Sequence, residues 1–128
     1  MTDKELFNRA KEAMGFSYSP YSKYKIGAAV LTKSGKVFTG CNIENSSYGA
    51  TICGERTALV KAISEGYTEF EAIAIAGSDE SIPSYPCGIC RQFIFEFGYD
   101  IRIILMNQKK LETYTISELL PEGFKLTP

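Results

Sequence analysis

The chain has 128 residues, of which 45% are hydrophobic and 23% charged, a composition typical of one globular domain over residues 1–128. Its 14 basic and 15 acidic residues give a formal net charge of -1, so it lacks the basic surplus that binds a nucleic-acid polymer. No apolar run approaches the roughly 18 residues of a membrane span, and the start Met-Thr-Asp-Lys-Glu does not resemble a signal peptide. We expect a cytoplasmic protein with a small substrate, and with no membrane or nucleic-acid partner.

The chain begins with a predicted helix and a hairpin, and helices then alternate with strands. Thr2 or Asp3 can cap the first helix, which Gly15 ends. The polar loop 42–49 follows the second strand, where ligand contacts often lie, although a capped surface connection is the commoner use of such a loop. The remaining predictions are strands at 26–32, 37–42, 72–76, 101–106 and 111–115, a helix from about 51–53 to 65, a helix beginning at Cys87, and a helical turn at 117–120.

This element order predicts a three-layer α/β/α sandwich around a five-stranded mixed sheet. The alternating part needs crossover connections, so we expect its strands to be parallel neighbours. The strand at 101–106 is almost wholly apolar and should be central in the sheet. The two helices that begin near cysteines then start close to strand ends, where open α/β sheets bind ligands.

Four cysteines at irregular spacing in a cytoplasmic protein suggest metal binding or catalysis before disulfides. Cys53, Cys87 and Cys90 could hold a zinc ion tetrahedrally and leave the fourth position to water. One alternative is redox chemistry at Cys87 and Cys90, which would not need Cys53. Another is a structural zinc site made from all four thiols, for which Cys41 is the only spare ligand. Cys41 is more simply interpreted as a small buried hydrophobe.

Glu55 falls near the middle of the apolar stripe of its predicted helix. Burial would raise the pKa of this carboxyl group and suit it to move protons for a metal-activated water. The plainer interpretation is an acid placed in a first helical turn because the helix dipole favours it there. Residues i and i+2 do not share a helix face, so Cys53 and Glu55 can meet at one ion only if Cys53 sits at the helix start.

Charge is a problem for such a site, because three thiolates and a hydroxide around Zn²⁺ would carry a formal charge of about -2. That donated charge would hinder ionisation of the water unless something withdraws it. Helix N-termini aimed at the sulfurs would help. Arg56 and Arg91 each closely follow a cysteine, and we hypothesise that Arg56 donates to one or two ligand sulfurs. The alternative is an ordinary surface arginine.

With these motifs the chain resembles the small homotetrameric cytidine deaminases of the cytidine and deoxycytidylate deaminase superfamily. The cysteine and glutamate spacing matches the zinc nucleobase-deaminase signature. The resemblance spans nearly the whole chain, and Asn-Ile-Glu-Asn at 42–45 is its most discriminating part. The motifs that carry the resemblance are Tyr18-Ser-Pro-Tyr-Ser, Cys41-Asn-Ile-Glu-Asn, Cys53-Gly-Glu-Arg-Thr-Ala, Pro86-Cys-Gly-Ile-Cys-Arg-Gln and Leu119-Leu-Pro.

The resemblance implies hydrolytic deamination of cytidine and deoxycytidine to uridine and deoxyuridine plus ammonia, a reaction of pyrimidine salvage. One zinc per subunit would be held by the three cysteines and would activate a water for attack on C4 of the base. Glu55 would take the proton of that water, protonate N3 and assist the departure of ammonia. The nucleoside is the expected partner molecule.

The resemblance also implies that the site is shared between subunits. Asn42 and Glu44 resemble the family's ribose-binding pair, whose short polar side chains suit hydroxyl groups. Phe124 resembles an aromatic that enters a neighbouring subunit's site and stacks on the base, so that a homotetramer carries four interface sites. Tyr24, Gly54 and Tyr48 complete the expected substrate-binding set.

Three positions depart from the family's usual pattern. Tyr24 stands where Phe is usual, Gly54 where Ala is usual, and Tyr85 where a small residue precedes Pro86. These departures affect substrate preference and rate more than reaction type. Two other functions stay open: a deaminase of another aminopyrimidine, such as blasticidin S, and a non-catalytic module with structural zinc.

Overall fold

The computed structural model describes residues 1–128 as a five-stranded mixed sheet with helices on both faces, which confirms the predicted α/β fold class. The cysteine-bearing segments lead directly into two of these helices. No helix combines the length and apolar character needed to span a lipid bilayer. The strands are β1 (Ile26–Thr32), β2 (Val37–Cys41), β3 (Phe70–Gly77), β4 (Arg102–Asn107) and β5 (Lys110–Thr115), and the α-helices are α1 (Asp3–Ala13), α2 (Gly54–Ser64), α3 (Gly88–Phe95) and α4 (Ile116–Leu119).

The strand order is β2-β1-β3-β4-β5, and only β3 and β4 pair in parallel. The crossover through α3 therefore joins parallel neighbours, as predicted. The crossover through α2 does not, because β1 lies between β2 and β3 and pairs antiparallel with both. The strand β4 has a neighbour on each side, although β3 holds the middle of the sheet.

Side chains alternate along β3 and so form two separate cores. Its alanines pack against α1, whereas Ile73 and Ile75 pack on the opposite face with α2 and α3. Burying each isoleucine stabilises the fold by roughly 1.5–3 kcal/mol. The α1 face is closely packed, because a Cβ on Gly27 would lie 2.0 Å from the carbonyl oxygen of Ala10. The three layers are thus α1, the sheet, and the α2–α3–α4 side.

The helix α2 is held against the edge strand β2. A Cβ on Gly40 would lie 2.4 Å from the backbone nitrogen of Ala58, so only glycine allows this approach. The close contact brings the N-terminus of α2 to the end of β2. Cys53 is the N-cap residue of α2, and Cys87 is the N-cap residue of α3. The fold therefore places two of the predicted ligands at helix N-termini.

Candidate active site

The three predicted ligand cysteines converge where α2 and α3 begin. Cys53 and Cys87 precede these helices, and Cys90 lies three residues into α3. Their sulfurs lie within 4.8 Å of one another, and Sγ of Cys53 is 3.7 Å from Sγ of Cys87. A Zn–S bond is about 2.3 Å long, so two sulfurs at tetrahedral angles on one zinc would be about 3.8 Å apart. The sulfur spacing fits a zinc ion.

The cluster contains three protein ligands and not four. Cys41 is buried at the end of β2 and does not belong to the group of convergent sulfurs. The closed structural site that would use all four thiols is therefore not formed. A tetrahedral ion held by three protein ligands keeps one position for water or substrate, which is the arrangement of catalytic zinc sites.

The thiols of the cluster differ in acidity before any metal binds. Hydrogen bonding from Cys90, and then from Arg56, lowers the pKa of Cys53 to about 5. The hydrogen bond to Cys53 and burial both raise the pKa of Cys90. A coordinated thiol gives up its proton whatever its pKa in the free protein. The three thiols can therefore all serve as thiolate ligands.

Arg56 lies beside the cluster and points its guanidinium at it. Its Nη2 donates to Sγ of Cys53 at 3.6 Å and to the carbonyl oxygen of Thr51 at 3.3 Å. Burial opposes its charge, but hydrogen bonds to Cys53 and Cys90 hold the pKa of Arg56 above its usual value. Arg91 has a different use, because it donates to the carbonyl oxygens of Pro86 and Leu119, each at 2.7 Å.

Glu55 is the one buried carboxylate of the chain, with 3% of its surface exposed. It lies in the first turn of α2, two residues after the N-cap cysteine. Burial, together with the nearby charge of Cys53, raises the pKa of Glu55 to about 7. A carboxyl group with such a pKa can both accept and donate a proton near neutrality.

These groups open into one pocket of about 460 Å³, within the usual size range of small-molecule sites. Cys53, Cys87 and Glu55 form part of its lining. Three other predicted residues, Tyr24, Asn42 and Gly54, line it as well. The pocket therefore combines two of the three thiols that could hold a metal ion, a buried acid, and polar groups suited to a small ligand.

The family model for the cytidine and deoxycytidylate deaminase zinc-binding region matches residues 1–106. This chain belongs to the cytidine and deoxycytidylate deaminase family. It is 50% identical over 129 residues to a probable cytidine deaminase of Dictyostelium discoideum, covering 97% of this chain and 86% of the relative. It is 44% identical over 126 residues to a cytidine deaminase of Sporosarcina psychrophila, covering 97% and 92%. The predicted family and zinc cofactor are confirmed.

Solved structures of the family agree with the fold. The cytidine deaminase from Burkholderia pseudomallei superposes with a TM-score of 0.91 at 45% identity, covering 97% of this chain and 100% of that one. A blasticidin-S deaminase of Bacillus cereus is 33% identical over 126 residues, covering 93% of this chain and 89% of the relative. The chain is therefore an enzyme of the deaminase family, and it is more similar to the cytidine deaminases named above than to this blasticidin-S deaminase.

Asn42, one of the predicted ribose contacts in this deaminase, is already largely engaged within the chain. Its Oδ1 accepts hydrogen bonds from Ser17 Oγ at 2.5 Å and from the N–H of Ile26 at 3.0 Å. Its Nδ2 donates to the carbonyl oxygen of Tyr24 at 2.9 Å. An amide has two acceptor sites and two donors, so one N–H is left for a ligand. Asn42 can donate to a hydroxyl but has no acceptor site left for one.

Three predicted substrate residues lie outside the cysteine pocket of the single chain. Glu44 and Tyr48 line an adjoining cavity of about 390 Å³, and Thr51 borders both cavities. The carboxylate of Glu44 accepts from the backbone N–H groups of Tyr21 and Ser22 and from the Ser22 hydroxyl, which lowers the pKa of Glu44. Phe124 is 63% exposed, and its carbonyl oxygen accepts from Gln92 Nε2 at 3.0 Å.

Sequence reasoning singled out Tyr85 but overlooked the rest of one wall of the pocket. Residues 82–85 line this wall, although residues 82–84 were expected to form only a connecting loop. A usable signal was present, because Pro83 and Pro86 bracket the segment just before Cys87. Prolines restrict their own backbone and that of the preceding residue, and so stiffen a loop that must keep its shape.

Proposed function

We propose that this chain hydrolyses cytidine and deoxycytidine to uridine and deoxyuridine, with release of ammonia, in pyrimidine salvage. The observation that carries the proposal is the convergence of three thiols at a pocket that two of them, Cys53 and Cys87, line together with the buried carboxylate of Glu55. Relatives named cytidine deaminases, at 44–50% identity, support the choice of substrate.

In this proposal Cys53, Cys87 and Cys90 hold one zinc ion per chain. Zinc in such a site lowers the pKa of a bound water and so supplies the nucleophile. Glu55 takes a proton from the water and passes it to N3 of the base. Glu55 then takes the remaining proton from the new hydroxyl on C4 and delivers it to the amino nitrogen, so that the C4 carbonyl forms as the bond from C4 to nitrogen breaks and ammonia leaves. A pKa of about 7 suits both transfers.

Recognition of the sugar is assigned to Asn42 and Glu44. The free N–H of Asn42 would donate to a ribose hydroxyl, and Glu44 would accept from another. Tyr24, Gly54 and Tyr48 would border the nucleoside. In this arrangement the two adjoining cavities, which share Thr51, act as one elongated site.

We further propose a homotetramer whose sites are shared between chains. Phe124 would enter a neighbouring chain's pocket and stack on the base. Phe124 is 63% exposed in the single chain, so its ring is available to a neighbouring chain. The free thiols of the cluster favour a reducing compartment, so we place the enzyme in the cytoplasm.

A direct assay tests the function. Zinc-loaded protein is incubated separately with cytidine, deoxycytidine and blasticidin S, while near-ultraviolet absorbance and ammonia are followed. We expect conversion of cytidine and deoxycytidine, with far slower loss of blasticidin S. Turnover of blasticidin S alone would overturn the substrate assignment, and release of ammonia from none of the three would overturn the proposed reaction.

A further inference from the structure

The pocket wall beside Cys87 ends in an aromatic ring that the catalytic assignment does not use. Tyr85 lines the pocket and precedes Cys87 by two residues. Its side chain is 44% exposed in the single chain, so the ring is neither part of a core nor free in solvent. A ring at this position would contact a ligand bound in the pocket.

Tyr85 is held by one partner from a distant strand. Its hydroxyl lies 3.4 Å from the hydroxyl of Tyr114 on β5, and the two rings meet edge to face with centroids 5.9 Å apart and an angle of 63°. Tyr114 packs against the larger buried cluster of the protein. The hydrogen bond to Tyr85 raises the pKa of Tyr114 to about 12.

This contact is the only hydrogen bond made by residues 83–85 of the wall, which make no backbone–backbone hydrogen bond and no other side-chain hydrogen bond. At the far end of the wall, the backbone N–H of Ile82 donates to the carbonyl oxygen of Asp79 at 3.4 Å. Pro83 and Pro86 limit the backbone conformations open to the segment. The position of the Tyr85 ring therefore depends on Tyr114 and on the two prolines.

The place of the wall relative to the base follows from the proposed function, on which this inference rests. C4 reacts at the metal held by Cys87, and the ribose is assigned to Asn42. The amino group on C4 then points away from Asn42, toward the segment that precedes Cys87. We propose that Tyr85, positioned by Tyr114, is a specificity-determining residue that closes the pocket against substituents on the exocyclic nitrogen of cytidine.

Substrates that differ by one methyl group test this role. The measured quantity is the ratio of kcat/KM for N4-methylcytidine to kcat/KM for cytidine. We expect Tyr85→Ala to raise this ratio about 10- to 200-fold, the range that one methylene is worth in an apolar pocket. Zinc content and the unfolding temperature are measured on each variant, so that a folding defect is recognised.

Variants that keep both aromatic rings separate the effect of the hydrogen bond that positions Tyr85 from the effect of the size of its ring. Tyr85→Phe and Tyr114→Phe keep both rings and remove only the hydrogen bond, so each should raise the ratio about two- to tenfold, and the double variant should raise it no further. Tyr99→Phe is the matched control, because Tyr99 is 70% exposed and makes no side-chain hydrogen bond. Effects that add in the double variant would overturn the role of Tyr114.

Different outcomes show whether the proposed function fails or only the role of Tyr85 fails. Wild-type protein that leaves cytidine unchanged refutes the proposed function, and the inference falls with it. Wild-type protein that deaminates cytidine, with a ratio that stays within about twofold in Tyr85→Ala, overturns only the inference. If Tyr85→Ala does not fold, an unchanged ratio in both phenylalanine variants overturns it instead.

Discussion

The cysteine end and the sugar end of the site are built differently. At the cysteine end the groups sit on the N-termini of two helices packed against the sheet, and Glu55 is 3% exposed. At the proposed sugar end Glu44 lies in a loop, Tyr48 begins a three-residue 3-10 turn, and Phe124 follows the last helix with 63% of its surface exposed. The metal-binding and acid groups are thus placed by helices of one chain, whereas the residues proposed for substrate recognition lie outside the helices that carry the cysteines. Such a division lets the reaction be conserved while substrate contacts vary.

The largest effect should follow from removing a ligand at the cysteine end. In Cys53→Ala, two thiols cannot complete the site, so we expect zinc to fall from about one per chain to less than about a tenth, with loss of activity. Metal analysis and the cytidine assay measure both. Cys41→Ala is the matched control, because Cys41 is buried outside the cluster and should not affect zinc. Full zinc content in Cys53→Ala would refute the ligand assignment.

Glu55→Gln should separate metal binding from proton transfer. The amide has a similar shape but cannot relay protons, so kcat should fall about 10²- to 10⁴-fold while zinc is retained. Glu65→Gln is the control, because that residue is exposed at the other end of the same helix. Comparable turnover in Glu55→Gln would remove Glu55 from the reaction.

Phe124→Ala tests whether the sugar end needs a second chain. Loss of a stacked ring worth roughly 1–3 kcal/mol should raise KM about 5- to 150-fold and leave kcat less affected. Phe16→Ala is the control, since Phe16 is 84% exposed and lines neither of the two cavities. Activity per chain should also fall on dilution if chains share sites.

Mixing two defective proteins sharpens this test. A Phe124→Ala chain retains Glu55, and a Glu55→Gln chain retains Phe124. If sites are shared, unfolding and refolding the two together should restore sites with low KM that neither protein has alone. A mixture that behaves as the sum of its parts, or an active monomer on size-exclusion chromatography, would show that each site belongs to one chain.

Arg56→Ala should reduce zinc affinity and activity without abolishing either. Losing a partner of a ligand typically costs 10- to 100-fold in metal affinity or activity, so we expect a loss of about that size. Arg56 helps to lower the pKa of Cys53, so its removal raises that pKa, and protons then displace zinc at a higher pH. A zinc-sensitive dye follows release during acid titration. Arg9→Ala, on the exposed side of α1, should not move the midpoint.

The smallest effect is expected at Gly54, between ligand and acid. Replacing a helical glycine with alanine stabilises a protein by about 0.4–1 kcal/mol when the new methyl group fits. A Cβ on Gly54 would lie 3.2 Å from Cγ2 of Ile26, which is only partly buried and can shift slightly. Gly54→Ala should therefore raise the free energy of unfolding in urea by less than about 1 kcal/mol. A decrease would show that the pocket is too tight there for a methyl group.

Much of the fold was predictable, because local sequence patterns determine helix caps and buried faces. The predicted strand at 26–32 matches β1, and α2 begins at Gly54 with Cys53 as its N-cap, as the geometry of a shared ion required. The position of β1 between β2 and β3 was not predicted. Strand order depends on pairing between segments far apart in the chain, which periodicity does not report.

The sequence by itself determined the chemistry of the site: three thiols, a core-facing acid and no histidine leave few ways to hold a metal and move a proton. Only the tertiary structure decided which groups serve it. Arg56 reaches a sulfur whereas Arg91 binds carbonyl oxygens, and Tyr85 is held by a tyrosine 29 residues away. The physical reason is that residue type limits what a side chain can do, while its hydrogen-bond partners depend on the packing of elements distant in sequence.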